Sequence, residues 1–185
     1  MVLGIPEIET ERLHLRAFTP GDLDDLCLVF GDADVMKYIS GGKPRSREDT
    51  ETGLLRTIEG FKKRGFGLWA VVAKNGENFI GYCGLTYLED TSEVEVAYGL
   101  AKSQWGKGFA TEAASASLRY GFEEMKLDRI VAVVDRQNIS SRRVLEKLGM
   151  RYTKDVHHYD ADLMYYEISK AGYQSDGAQY LLRRV

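Results

Sequence analysis

Asn75-Gly76 stands between two runs that read as strands, FGLWAVVA and NFIGYCGLTYL, and that dipeptide is a strong signal for a tight hairpin. A third strand-like run, EVEVAYGL from Glu93 to Leu100, follows at once. Directly after it, SQWGKGFATEA (Ser103 to Ala113) sets two glycines at the mouth of a helix predicted over Thr111 to Met125. Ala114, Leu118, Phe122 and Met125 fall on one stripe of that helix. RIVAVVD, Arg129 to Asp135, is then a short continuous apolar strand of the kind buried on both faces. Three antiparallel strands joined through a helix to a further buried strand restrict the chain to a mixed α/β sheet.

The flanks extend this pattern. ERLHLRAF, Glu11 to Phe18, alternates as a strand. Thr19 is placed to cap a helix that has Pro20 in its first turn and Leu23, Leu26 and Phe30 at helical spacing. A short helix is predicted over Ala33 to Ile39, a loop at SGGKPRS, and a longer helix from Ser46 to Lys63 with Leu54, Leu55, Ile58 and Phe61 on its apolar face. Ser140 to Leu148 reads as a helix stopped by Gly149, and strands at Arg151–Val156 and Leu163–Ser169 pair around HHYDAD. The count is about seven strands with helices on both faces, in one domain spanning 1–185 without repeat or linker. Trp69, Tyr82 and Tyr87 read as core aromatics.

Charge and cysteine usage exclude several functions. Acidic and basic residues are interspersed with a net charge of −3, which gives no basic face for coating nucleic acid. Cys27 and Cys83 lie far apart in apolar surroundings and read as free buried thiols. His157 and His158 are adjacent in a strand and point to opposite faces, so with Asp160 and Asp162 they form hairpin residues and no metal site. MVLGIPEIETERL lacks a basic-then-apolar signal and no apolar run reaches membrane-spanning length. The expectation is a cytoplasmic monomer or homodimer with no membrane or nucleic-acid partner.

Glycines at a helix start leave backbone N–H groups unpaired and favour an anion, phosphate above all. The P-loop spacing is absent. A dinucleotide-binding turn would use Gly106-x-Gly108 and Asp135, but its third small position is Thr111 and the run from Leu100 to Gly106 is too long. Asp135 also comes late, and the preceding strands look antiparallel.

The stretch resembles the coenzyme A pyrophosphate loop of the GNAT family of N-acetyltransferases. IETERLHLRAF, EVEVAYGL with WGKGFATEA, and NISSRRVLEKLGM together resemble its RimJ/RimL-like branch, from about Ile8 to Ser169. The resemblance implies the GNAT fold, a sheet splayed in the middle, and acetyl-CoA as cosubstrate with no metal. It assigns the pyrophosphate to Trp105, Gly106, Lys107, Gly108, Phe109 and Ala110. Trp105 stands where the family carries Gln or Arg, which affects one side-chain contact and not the backbone N–H groups. The pantetheine arm would add as a strand to the edge at Tyr98, Gly99 and Leu100, and Gly99 suits a bulge or close ligand approach. Lys102, Arg142 and Arg143 are further basic residues that could meet phosphates.

Acetyl transfer from a thioester to an amine needs a polarised carbonyl, a neutral amine and a protonated leaving thiolate. Glu95 is the best-placed carboxylate for the amine proton; the other reading is a solvent-facing strand residue. The family's usual tyrosine acid falls here on Leu145, which has no proton to give. In the branch, Asn138 would bind pantetheine and Ser141 would lie near the sulfur; the alternative for Ser141 is a helix cap. Neither cysteine has an adjacent histidine, so transfer is direct within a ternary complex. The branch implies a protein N-terminal amine as acceptor. A small-molecule amine (polyamine, amino acid or antibiotic) and a non-catalytic acyl-CoA sensor are the other readings. Gly108→Glu sets bulk and like charge against the pyrophosphate, so calorimetry on the folded variant should show acetyl-CoA binding abolished. Unchanged affinity would reject the phosphate assignment.

Overall fold

A computed structural model of the chain describes residues 5–76 and 78–185. Residues 1–4, the start of the N-terminal stretch read above, lie outside the described residues. Among the described residues, nine strands form one sheet: β1 (Pro6–Glu9), β2 (Leu13–Arg16), β3 (Leu68–Ala73), β4 (Asn78–Tyr87), β5 (Val94–Leu100), β6 (Arg129–Val134), β7 (Arg151–His158), β8 (Ala161–Ser169) and β9 (Leu181–Arg184). Their order is β7-β8-β6-β5-β4-β3-β2-β1-β9. Every neighbouring pair that is registered is antiparallel except β5 and β6, which run parallel and share the single register pair Glu95–Val131.

The sheet has nine strands where the sequence pattern yields seven. β1 and β9 are four residues each, at the two ends of the chain and outside the runs read as strands. They pair with one another from Pro6–Arg184 to Glu9–Leu181, so each is defined by a partner at the opposite end of the chain. β3 and β4 pair out to Ala73–Asn78, a wider connection than the two-residue turn signalled by Asn75-Gly76, although Gly76 does take a positive φ of 89°.

Five helices flank the sheet: α1 (Leu23–Phe30), α2 (Ala33–Met36), α3 (Arg47–Arg64), α4 (Phe109–Arg119) and α5 (Ile139–Lys147). Thr19 and Pro20 open a 3₁₀ turn ahead of α1, and Ser46 caps α3 by accepting the Asp49 N–H at 3.0 Å. α4 starts two residues before Thr111 and ends at Arg119, where Tyr120–Glu124 continues as one wider π turn. That widening brings Tyr120 edge-on to Trp69, 5.3 Å between centroids, with its hydroxyl donating to Gly65 O at 3.0 Å.

Two cores result. The larger, against α4 and α5, joins Leu13, Leu15, Trp69, Val96, Leu118, Ile130 and Leu145; the second lies beneath α1, α2 and α3 and includes Phe30, Leu54 and Tyr82. Trp69 and Tyr82 are buried as expected, but Tyr87 is 45% exposed at the far end of β4, its ring edge resting on Phe66. Cys83 is buried; Cys27, on the outer part of the short α1, is only partly so.

Candidate active site

The split between β5 and β6 organises the site. One register pair at Glu95–Val131 holds the two strands, and beyond it toward Leu100 no further pair forms. Ala101 N–H donates to Ile80 O at 2.9 Å, and backbone alternation directs Gly99 to β4 as well, leaving the peptide groups of Tyr98 and Leu100 toward the opening. The Gly99 carbonyl indeed faces β4, lying 2.2 Å from where a Cβ on Gly81 would sit. Gly99 is required for another reason: its Cβ would stand 2.6 Å from the Tyr82 ring. The Leu100 carbonyl accepts the Trp105 indole N–H at 2.8 Å. Trp105 thus ties the glycine loop back to the end of β5, and its ring stays 47% exposed at the mouth.

The loop is a ready anion cradle. Gly106 (φ 75°) and Gly108 (φ 82°) are both left-handed, and a Cβ on Gly106 would meet nothing within 4 Å. Gly108 is the N-cap residue of α4 and brings no side-chain cap. The first helical donor is Glu112, whose N–H bonds Gly108 O at 3.1 Å, so the N–H groups of Phe109, Ala110 and Thr111 lie ahead of the hydrogen-bond ladder. These unpaired donors fit a pyrophosphate. Phe109 and Ala110 are half-buried against the core and anchor the turn, while the Lys107 Nζ donates to Gln104 Oε1 at 3.1 Å.

A clamp that sequence reasoning missed holds this loop. Arg12, in the turn between β1 and β2, donates from Nε to Glu112 Oε2 at 2.6 Å and from Nη1 to the Lys107 carbonyl at 2.9 Å. Its guanidinium lies 4.6 Å from the centre of the Phe109 ring. The Arg12 N–H (2.9 Å) and the Thr10 hydroxyl (2.6 Å) both donate to Glu112 Oε1. The signal was present in TERL, but its partner is a hundred residues away. Of the basic residues considered for phosphate, Lys102 pairs with Asp34 at 2.5 Å and Arg142 Nη1 donates to Arg136 O at 3.3 Å.

On the α5 side, Asn138 is the N-cap, its Oδ1 accepting the Ser141 N–H at 3.1 Å. Ser141 is therefore not the cap, and its hydroxyl has another partner, Tyr98 Oη at 2.9 Å. Tyr98 reaches from β5 across the opening to α5, and burial pushes its phenol pKa up. Leu145 is 1% exposed within the larger core and serves as a packed wall, too confined to take a tyrosine.

Glu95 projects from the other face of β5 and is only 5% exposed. Burial pushes its pKa up to about 7; the Tyr159 hydroxyl, donating to Oε1 at 2.5 Å, opposes the rise, and the charge on Glu89 adds to it. The solvent-facing reading of Glu95 is thereby corrected: its face is covered by the β7–β8 hairpin. That hairpin also separates the histidines, with His157 Nδ1 held 2.8 Å from Asp162 Oδ1.

Residues 12–151 match the family model described as the acetyltransferase (GNAT) domain. The uncharacterized protein YkkB of Bacillus subtilis (strain 168) is 35% identical over 164 residues, covering 87% of this chain and 94% of that protein. The solved GNAT-family acetyltransferase from Bacillus anthracis superposes with a TM-score of 0.78 at 31% identity, over 89% of this chain and 99% of its own. RimL, a ribosomal L7/L12 alpha-N-protein acetyltransferase solved with coenzyme A, shares the fold with a TM-score of 0.73 at 17% identity, over 86% and 95% of the two chains.

The clamp predicts a separable effect on the cosubstrate. Arg12→Ala removes a charge-assisted pair that is partly exposed and so is worth about 1–1.5 kcal/mol to the loop. Acetyl-CoA affinity measured by calorimetry should fall roughly fivefold to tenfold, with the melting temperature lowered by only a few degrees.

Proposed function

Since the chain belongs to the GNAT family of acetyltransferases and is an acetyl-CoA-dependent N-acetyltransferase, we propose that its acceptor is a protein N-terminal α-amine, acetylated by direct attack within a ternary complex in a single catalytic domain. The observation that supports this reading is that Glu95, on one face of β5 at the last paired position before the split, and Ser141 of α5, bonded to Tyr98 on the other face, lie on the two sides of the opening. A thioester lying in the split has a proton acceptor on one side and a hydroxyl donor on the other. The peptide groups of Tyr98 and Leu100 line the edge between them, where an N–H can polarise the carbonyl.

Each residue then has a task. The N–H groups of Phe109 and Ala110, in the turn formed by Trp105 to Gly108, hold pyrophosphate. Tyr98, Leu100 and the Asn138 carboxamide align the pantetheine arm, and Gly99 keeps β5 flat beneath Tyr82. Glu95, directly or through one water, takes a proton from the ammonium; the amine nitrogen bonds to the carbonyl carbon as the C–S bond breaks, and the second proton released by that nitrogen passes to the departing thiolate, giving the amide and the free thiol of coenzyme A. Ser141 donates its hydrogen bond to the departing thiolate, with Tyr98 fixing the Ser141 hydroxyl.

The basicity of Glu95 favours an α-amine. An N-terminal ammonium has a pKa of roughly 7.7–8.0, close to the value of about 7 at Glu95, so its proton passes nearly without penalty. A lysine-like or polyamine ammonium near 10.4 faces about 4–5 kcal/mol for the same step. A relative points the same way: YdaF of Bacillus subtilis (strain 168), a putative ribosomal N-acetyltransferase, is 31% identical over 51% of this chain. A panel of peptides with varied N-terminal residues, polyamines and aminoglycosides, read by mass spectrometry, tests the acceptor. Acetylation confined to small-molecule amines would reject it, and binding without turnover would indicate a sensor.

Glu95→Gln should lower turnover by roughly 10²-fold while leaving acetyl-CoA affinity intact. It should also stabilise the fold at pH 8. A carboxyl whose folded pKa is raised from 4.5 to about 7 keeps its proton when the unfolded chain has lost it, so stability falls across that window, by about 3 kcal/mol. Glutamine does not incur that loss, and thermal melting at pH 5 and pH 8 reads the difference. Ser141→Ala should lower the transfer rate ~30-fold through the loss of about 2 kcal/mol at the developing thiolate. Because Asn138 is the cap, its melting temperature should hardly move; unaltered turnover would remove Ser141 from the reaction.

A further inference from the structure

The β7–β8 connection is a two-residue turn, Tyr159-Asp160, with both residues left-handed at φ 54° and 56°. Such turns favour Asn and Gly, because a larger side chain in this region is held against its own backbone. A tyrosine there is sterically disfavoured. Its neighbours account for its being held. The Tyr159 N–H donates a short hydrogen bond to the Glu89 carboxylate, and the Glu89 N–H approaches the Tyr159 hydroxyl at 3.4 Å. The ring packs beside Leu88, Val131 and Tyr165. The hydroxyl ends on Glu95 Oε1 at 2.5 Å.

We propose that Tyr159 is the positioning residue for the base, a strained hairpin tip whose hydroxyl keeps the buried Glu95 carboxylate oriented and ionised for the acceptor. The inference rests on Glu95 being the base. The hydrogen bond stabilises the charged form of Glu95 and so draws its titration down against burial and the Glu89 charge, the two influences that raise it. Other titratable groups around this face bear on it less directly. Tyr82 of β4 feels the Glu95 charge, and Tyr165 of β8 spends its hydroxyl on Glu93, which is itself paired with Arg129. Among the described residues, the side-chain hydrogen bond to the Glu95 carboxylate comes from Tyr159. In a site without it, the carboxylate would hold its proton to higher pH and be idle near neutrality.

The test is the pH dependence of kcat, between pH 5.5 and 9.5, with acetyl-CoA and a saturating N-terminal peptide. Tyr159→Phe keeps the ring and the turn and removes only the hydroxyl. Its acid limb should move upward by about one pH unit, giving a rate lowered roughly tenfold at pH 6.5 and nearly wild-type at pH 9. The KM for acetyl-CoA should stay unchanged. Tyr165→Phe, which loses a bond to Glu93, should leave the midpoint in place. Fluorotyrosine at position 159 is a stronger donor and should move the midpoint down, which keeps the test available if the phenylalanine variant does not fold. A Tyr159→Phe enzyme with an unmoved midpoint, slow to the same degree at every pH, would overturn the inference. Glu95→Gln activity within a few-fold of wild type would instead remove the base assignment on which it rests.

Discussion

The parallel contact between β5 and β6 holds through one register pair, and the rest of the site depends on its incompleteness. A fully paired sheet would bond every peptide group at its centre and offer no edge to a ligand. Here the antiparallel β4–β5 ladder runs from Tyr87–Val94 to Gly81–Leu100, and β6 is fastened to β8 over six residue pairs, so both halves are rigid. The opening between them is therefore a property of two well-made ladders that meet at one point. A ligand strand can complete it without disturbing either.

The chemistry follows from the two-sidedness of β5. Successive side chains alternate, so Val94, Val96, Tyr98 and Leu100 join the core beneath α4 and α5, while Glu95 enters the opposite face. Tyr98 uses that core position to span the opening and fasten Ser141. In the proposed reaction, a group held in the split is addressed from one side by a carboxylate and from the other by a hydroxyl. Burying Glu95 works against stability, and the left-handed Tyr159 adds strain in the turn above it. Both departures from an untroubled fold fall within one hydrogen bond of each other, the distribution expected where local stability is given up for function.

The glycine loop depends on distant support. Its own residues provide open backbone, which is what an anion needs and what leaves the turn loosely fixed. Arg12 and Thr10 supply the missing rigidity from the β1–β2 turn by bonding Glu112 in the first turn of α4, and Trp105 supplies it from the loop itself. The short strand β1 is secured in turn by β9, and the Trp69 indole donates to Pro6 O at 2.7 Å. The N- and C-terminal strands thus reach the glycine loop through a short chain of contacts.

The local signals in the sequence determined the elements and the loop. Alternation placed β2, a turn signal the β3–β4 pair and a continuous apolar run β6; capping residues placed α1, α3 and α5, and the glycine pair marked a loop whose positive φ values favour glycine. These features depend on neighbours within a turn or a pleat, and so can be read along the chain. Glu95 was visible as a candidate from its place on the strand before the loop, whereas Asn138 and Ser141 were candidates through the family resemblance. Only the tertiary structure decided what each one touches. Tyr159 meets Glu95 across 64 positions and Arg12 meets Glu112 across 100. The burial that raises Glu95 belongs to no segment by itself, since it is made by β4, β5 and the β7–β8 hairpin together. Strands β1 and β9 exist only as partners, because four residues have too few contacts to form a strand alone. Pattern is a property of the chain, whereas proximity, desolvation and strain arise from the packing of segments that the sequence keeps apart.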